Sequence, residues 1–132
     1  MDFLQFPHIV KLFLATFLAI LFLQSGLDKI FDWKGNLSWL VGHFSKTFLN
    51  KQVPLLLATI TLVELSAGAL SIAGVFQIIF TLKSSLAYYG ALASALSLVM
   101  LFFGQRIAKD YAGAATLVPY FILSIVAMVM LK

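Results

Sequence analysis

The chain has 132 residues, of which 62% are hydrophobic and 11% are charged, and its formal net charge is +4. Soluble domains carry about 25% charged residues, so this composition excludes water as the main solvent of the folded chain. It also excludes nucleic-acid binding, which needs a basic face on a water-soluble module. The chain contains no cysteine, so disulfides and thiol chemistry are excluded as well.

The charges gather in short clusters between long apolar runs, which is typical of a polytopic membrane protein. Four runs are long enough, at about 1.5 Å per residue, to cross about 30 Å of hydrocarbon. No small-residue cleavage site follows the first run, so we expect it to be retained as a helix. The sequence predicts a single all-α domain, a four-transmembrane-helix bundle, with spans at about residues 8–30, 53–80, 84–103 and 111–131.

The segment between the first two spans has a different pattern. Apolar residues recur at helical spacing from Trp33 to Phe48, and Asn36 is a candidate N-cap. This pattern predicts a short interfacial helix at about residues 36–48, lying in the headgroup region. Trp39 is out of phase with the apolar stripe, so we expect it to point toward the polar side.

Basic residues are distributed unequally between the two sides of the predicted membrane. The first and third loops hold Lys29, Lys34, Lys46, Lys51, Arg106 and Lys109. The two ends and the second loop hold Lys11, Lys83 and Lys132. The positive-inside rule therefore predicts that the first and third loops are cytoplasmic and that both termini lie on the opposite side.

Glu64 is the most informative single residue, because it lies about eleven residues into the second span. A charge facing lipid at this depth costs several kcal/mol, so Glu64 must face polar groups or be protonated. Thr61, Gly68 and Ser71 share its helical face, and we therefore expect this face to point into the bundle. Two roles are open for Glu64. In a functional role it carries a proton or binds a ligand, and in a structural role it forms a contact between helices. We favour the structural role, for which Glu64→Gln should be mild.

A second polar cluster forms where the first span ends. Gln24 and Asp28 lie four residues apart on one helical face, and the third loop meets the membrane on the same side. We expect Asp28 to form an ion pair with Arg106 or Lys109 at the mouth of the bundle. The predicted cluster comprises Asp28, Lys29, Arg106, Lys109 and Asp110.

The remaining patterns indicate packing rather than chemistry. Small residues in the second and third spans recur at a spacing that lets helix backbones approach. His8 and His43 are isolated, so the sequence predicts no metal site. No phosphate loop, nucleophile elbow or pair of catalytic carboxylates identifies an enzyme. The predicted packing positions are Gly68, Ser71, Ala87, Gly90, Ala91 and Ser94.

Three segments of the chain resemble the DoxX family of small bacterial membrane proteins: FLQSGLDKIFDWKGNLSWL, ELSAGALSIAGVF and GQRIAKDYAGAATLVPYF. The first and last segments are most similar to versions from Bacteroidetes-type bacteria. The resemblance implies a four-helix bundle in the bacterial inner membrane. In that membrane, the distribution of basic residues predicts that both termini are periplasmic. It also implies relatives that work beside other proteins, such as a quinone-linked thiosulfate oxidoreductase. It implies no catalytic residue.

Three functions are compatible with these observations. The first is a non-catalytic membrane subunit that binds and stabilises a larger complex through contacts with lipids, other subunits or copies of itself, with no cofactor of its own. The second is a quinone-linked redox subunit, in which a pocket for a lipophilic ring is bordered by Gln24, Asp28, Glu64 and Tyr120. The third is a proton-coupled carrier that uses Glu64, which four short helices and the lack of an inverted repeat disfavour.

Overall fold

A computed structural model describes residues 2–132 of the chain, and this part is helical throughout apart from its turns and loops. After a short 3-10 turn, four of the five α-helices are long and apolar enough to cross a membrane, namely α1, α3, α4 and α5. The predicted all-α, four-span architecture is confirmed. The helices are α1 (His8–Phe31), α2 (Trp33–His43), α3 (Val53–Thr81), α4 (Ser85–Ile107) and α5 (Tyr111–Leu131).

Two helices differ from their predicted bounds by more than one residue. Helix α4 continues to Ile107 rather than ending at residue 103, because Gln105 and Arg106 are good helix formers, and the chain turns only at Lys109, where φ is 61°. Helix α2 spans Trp33–His43 rather than residues 36–48. Asn36 is inside its first turn, where its side-chain amide donates to the carbonyl of Asp32, so Asn36 is not the N-cap.

Helix α3 lies at the centre of the bundle, between α1 and α4, while α5 packs on α4 and meets α1 only lightly. Glycines allow α3 to approach both neighbours closely. A Cβ at Gly68 would lie 2.8 Å from the backbone nitrogen of Leu23 in α1, and a Cβ at Gly74 would lie 2.5 Å from that of Ala87 in α4. Real Cβ atoms do not approach backbone this closely, so both seams require glycine.

Helix α2 covers one end of the bundle. Its Leu37 and Leu40 pack against a small core formed by Phe44, Leu49 and Val53, which lies beside the end of α4. Part of the apolar stripe therefore packs within the protein, whereas Val41 is 47% and Phe48 72% exposed. We call this end of the bundle, with α2, the start of α3 and the α4–α5 turn, the α2 end. The opposite end, which holds the termini and the α3–α4 turn, is the terminal end.

Candidate functional site

The most unusual feature of the bundle is an ion pair between two of its spans. The Lys29 ammonium of α1 lies 2.8 Å from Oε1 of Glu64 in α3, and it donates a hydrogen bond of 2.8 Å to the Ser25 hydroxyl. The side chain of Glu64 is 1% exposed and that of Lys29 is 17% exposed. Among residues 2–132, Oε1 has no partner at hydrogen-bonding angles, so its contact with Lys29 is primarily electrostatic. The pair joins α1 to α3.

The register of α1 against α3 sets the depth of this pair. Gly26 lies opposite Leu65, and Gly68 lies opposite Leu23, so the two helices run antiparallel with Glu64 level with the last two turns of α1. At about 1.5 Å per residue, Glu64 is about 6 Å from the end of α1. The first turns of α3 extend past α1 and pack beside α2. Glu64 is therefore much closer to the α2 end than its position along α3 suggests.

The expected ion pair between Asp28 and Arg106 or Lys109 does not form. Within residues 2–132, the lysine–carboxylate pair joins Lys29 to Glu64, and the nearest imidazole to a carboxylate is that of His43, 3.9 Å from Asp110. Adjacent helical residues point about 100° apart, so turning Lys29 toward α3 leaves Asp28 exposed on the outer surface.

The two expected cationic partners of Asp28 lie elsewhere. The Arg106 guanidinium lies 4.5 Å above the ring of Tyr111, where a cation–π contact replaces the predicted carboxylate. Lys109 is exposed in the α4–α5 turn. The mouth of the bundle is therefore not closed by these charges.

The four residues expected to border a quinone pocket are not buried together. Glu64 is buried, whereas Gln24, Asp28 and Tyr120 are exposed. A groove of about 270 Å³ does lie between α4 and α5, but it has no polar side chain that could bind a ring carbonyl. Its lining residues are Leu98, Val99, Phe102, Leu117, Val118 and Phe121.

A second polar cluster, at the α2 end, joins α2, α4 and α5. Nε2 of His43 lies 2.7 Å from Oε1 of Gln105 and 3.9 Å from a carboxylate oxygen of Asp110. Because Oε1 of Gln105 is an acceptor, Nε2 of His43 is the donor. Asp110 also accepts a bond of 2.9 Å from the backbone N–H of Gly113 and thereby caps α5. Trp39, 58% exposed, stacks on His43 with ring centroids 4.4 Å apart.

This cluster predicts a local effect of His43→Phe. Phenylalanine keeps a ring for Trp39 but removes the donor to Gln105, a net loss of about 1 kcal/mol. We expect backbone amides of residues 33–52 to exchange hydrogen about fivefold faster, since local opening becomes easier by that amount. Ser38→Ala, on an exposed part of α2, is the control and should leave exchange unchanged. Equal exchange in both variants would show that His43 does not hold α2.

Reasoning from sequence missed two of these contacts. His43 looks isolated in the sequence because its partners Gln105 and Asp110 lie more than 60 residues away along the chain. The sequence predicts Lys29 in the cluster at the mouth of the bundle, although a carboxylate that faces the bundle also indicates a base on a neighbouring helix. The predicted packing residues are all buried, namely Gly68, Ser71, Ala87, Gly90, Ala91 and Ser94.

Within residues 2–132, no three histidine, aspartate or glutamate side chains converge as a metal site would require. Comparisons of the chain with protein-family models, with curated proteins and with solved structures give no significant match.

Proposed function

We propose that this chain is a non-catalytic, DoxX-like subunit of the bacterial inner membrane that binds and stabilises a larger membrane complex. The observation that supports the proposal is the Lys29–Glu64 ion pair. Glu64 is the sole acidic residue buried among residues 2–132, and its charge is paired with that of Lys29 within the chain. A carboxylate that is paired with a lysine between two spans stabilises the bundle. A proton carrier or a ligand site instead needs a carboxylate that the proton or the ligand can reach.

The surface of the bundle is consistent with a role through protein contacts. Helix α5 has few buried residues, and one of its faces exposes large apolar side chains, namely Val118, Ile122, Ile125, Val126 and Val129. At the α2 end, Trp39 is exposed and stacked on His43, and Phe48, in the segment after α2, is 72% exposed. Rigidly held aromatic side chains of this kind are common anchors in protein interfaces.

Purification in mild detergent, at native expression and after chemical crosslinking, tests the proposal. We expect at least one other membrane protein to be recovered in a fixed ratio with the chain. Trp39→Ala should reduce that recovery, whereas Tyr89→Ala, which removes a similarly exposed ring at the terminal end, should not. Recovery of the chain with lipids alone would overturn the proposal. Recovery of a stoichiometric quinone would favour the redox alternative instead.

Orientation is predicted from the basic residues that are not paired with a carboxylate. Lys29 is paired with Glu64 and no longer counts, but five basic residues at the α2 end still outnumber three at or near the terminal end. The positive-inside rule therefore predicts a cytoplasmic α2 end and periplasmic termini. A reporter active only in the cytoplasm should be silent when fused after Lys132 and active when inserted near Lys46. The reverse result would invert the orientation.

A further inference from the structure

Gln24 is a polar side chain on the outer face of α1. It is exposed, and large apolar side chains surround it on the same face, with Phe17 47%, Ile20 55% and Leu27 40% exposed. Helix α1 is one of the four candidate membrane spans, so this face points away from the bundle into the bilayer. Gln24 forms no hydrogen bond with any residue from 2 to 132.

The outward-facing serine and threonine residues in the spans have hydrogen-bonded hydroxyl groups. The hydroxyls of Thr59 and Ser66 donate to the carbonyls four residues earlier, and that of Thr116 donates to the carbonyl of Gly113. Such bonds let a hydroxyl face lipid without a partner from another helix. A glutamine amide has two N–H donors and a carbonyl acceptor, and the amide of Gln24 has none of these bonds.

Water in the headgroup region does not readily reach the amide of Gln24 to form these hydrogen bonds. Gln24 lies seven residues before Phe31, the end of α1, which places it about 10 Å from that end. Helical side chains lean toward the N-terminus of their helix, so Gln24 leans away from the nearer end and toward the membrane centre. Asp28 differs, because it lies in the last turn of α1, within reach of the headgroup region.

We propose that the outer face of α1 binds a second copy of this chain, α1 against α1, with the two Gln24 side chains hydrogen-bonded to each other. An amide both donates and accepts, so two Gln24 residues are complementary to each other. Copies inserted with the same orientation can be related by a two-fold axis along the membrane normal, which places both Gln24 residues at the same depth. The inference deepens the proposed function, on which it rests, by naming one contact of the assembly.

The lack of cysteine in the chain allows a direct test in native membranes. Ile20→Cys and Leu27→Cys place single thiols on the proposed interface, and Leu62→Cys places one on the outer face of α3, where the leucine is 68% exposed. Under mild oxidation, we expect disulfide-linked dimers from the two α1 variants and little from the α3 variant. Equal crosslinking from all three would indicate random collision and would overturn the proposal.

The role of Gln24 is tested by the dimer fraction at increasing lipid dilution, measured by energy transfer between labelled chains in vesicles. We expect Gln24→Leu to weaken dimerisation about 3- to 20-fold, the usual effect of losing hydrogen bonds between membrane helices. Gln24→Asn, which keeps the amide, should retain most of the affinity, and Thr59→Val should not change it. A monomeric wild-type chain, or a dimer unaffected by Gln24→Leu, would overturn the proposal.

Failure of this inference can be distinguished from failure of the proposed function. If another protein is recovered with the chain but the α1 thiols do not link, the chain is a subunit without this dimer. If the α1 thiols link to a different protein, the face is a heteromeric contact and the second-copy proposal is wrong. If dimers form but no other protein is recovered, the dimer proposal is supported and the proposed larger complex is wrong.

Discussion

Glu64→Leu is expected to lower the free energy of unfolding by about 3–5 kcal/mol, because Lys29 would remain inside the bundle without its counter-ion. Removing one member of a buried ion pair lowers stability by more than the pair itself contributes, because the remaining charge is desolvated and has no opposite charge beside it. Lys29 is 17% exposed, which allows some hydration and places the expected loss toward the lower end of that range. Reversible unfolding in mixed micelles measures the change.

The double variant Lys29→Met/Glu64→Leu is the decisive comparison. Replacing both charges with apolar side chains of similar size is often neutral or stabilising, so we expect it to recover most of the loss. Lys83→Met, at an exposed position of the terminal end, is the control and should change stability little. A loss of less than about 1 kcal/mol for Glu64→Leu would show that the pair does not hold α1 against α3.

The structure also changes what is expected of Glu64→Gln. The sequence alone favoured a mild effect, because glutamine keeps the size and the hydrogen-bonding groups of glutamate. With Lys29 2.8 Å from the carboxylate, glutamine leaves the ammonium without an opposite charge. We therefore expect the free energy of unfolding of Glu64→Gln to lie between that of the wild type and that of Glu64→Leu. Assembly of any complex must be measured separately from activity before this variant is used to assign proton transfer.

Gly74→Ala is expected to destabilise the bundle by about 1–3 kcal/mol, the cost of overpacking a close helix contact. The added Cβ would lie 2.5 Å from the backbone nitrogen of Ala87, so α3 and α4 must separate for it to fit. A flexible side chain could move aside, but a helix backbone moves only with its helix.

Gly42→Ala is the matched control for this prediction. Both glycines are helical, but a Cβ at Gly42 would have nothing within 4 Å. Alanine is a better helix former than glycine by about 1 kcal/mol, so Gly42→Ala should be neutral or stabilising. In thermal unfolding in detergent, the changes in Tm of Gly74→Ala and Gly42→Ala should therefore differ in sign or in size. Equal shifts would mean that the α3–α4 contact is looser than the structure indicates.

The membrane architecture could be predicted from the sequence because it depends on run length and composition. The second span was predicted at residues 53–80 and is the helix Val53–Thr81. The apolar runs must be helical wherever they meet lipid, since the bilayer offers no partner for free backbone groups. That requirement acts on each segment separately, without knowledge of its neighbours.

The polar contacts between helices could be predicted only in part. The small-residue face around Glu64 indicated that this residue points into the bundle, and Glu64 is buried. The identity of its partner depends on how α1 is rotated and how far it slides along α3, and hydropathy constrains neither. A pairing of Asp28 with the third loop was equally compatible with the sequence. Neighbouring residues on a helix point in different directions, so a small rotation of α1 decides between Asp28 and Lys29.

The sequence by itself determined that this chain crosses the membrane four times, that its second and third spans have close-packing faces, and that it has no thiol chemistry. The tertiary structure alone decided which charges meet, because Gly26 and Gly68 lock the register in which Lys29 reaches Glu64. It also decided that Gln24 faces outward, with no hydrogen bond to any residue from 2 to 132. The physical reason is that hydrophobic burial is a property of each segment, whereas an ion pair requires the position, depth and rotation of two segments at once.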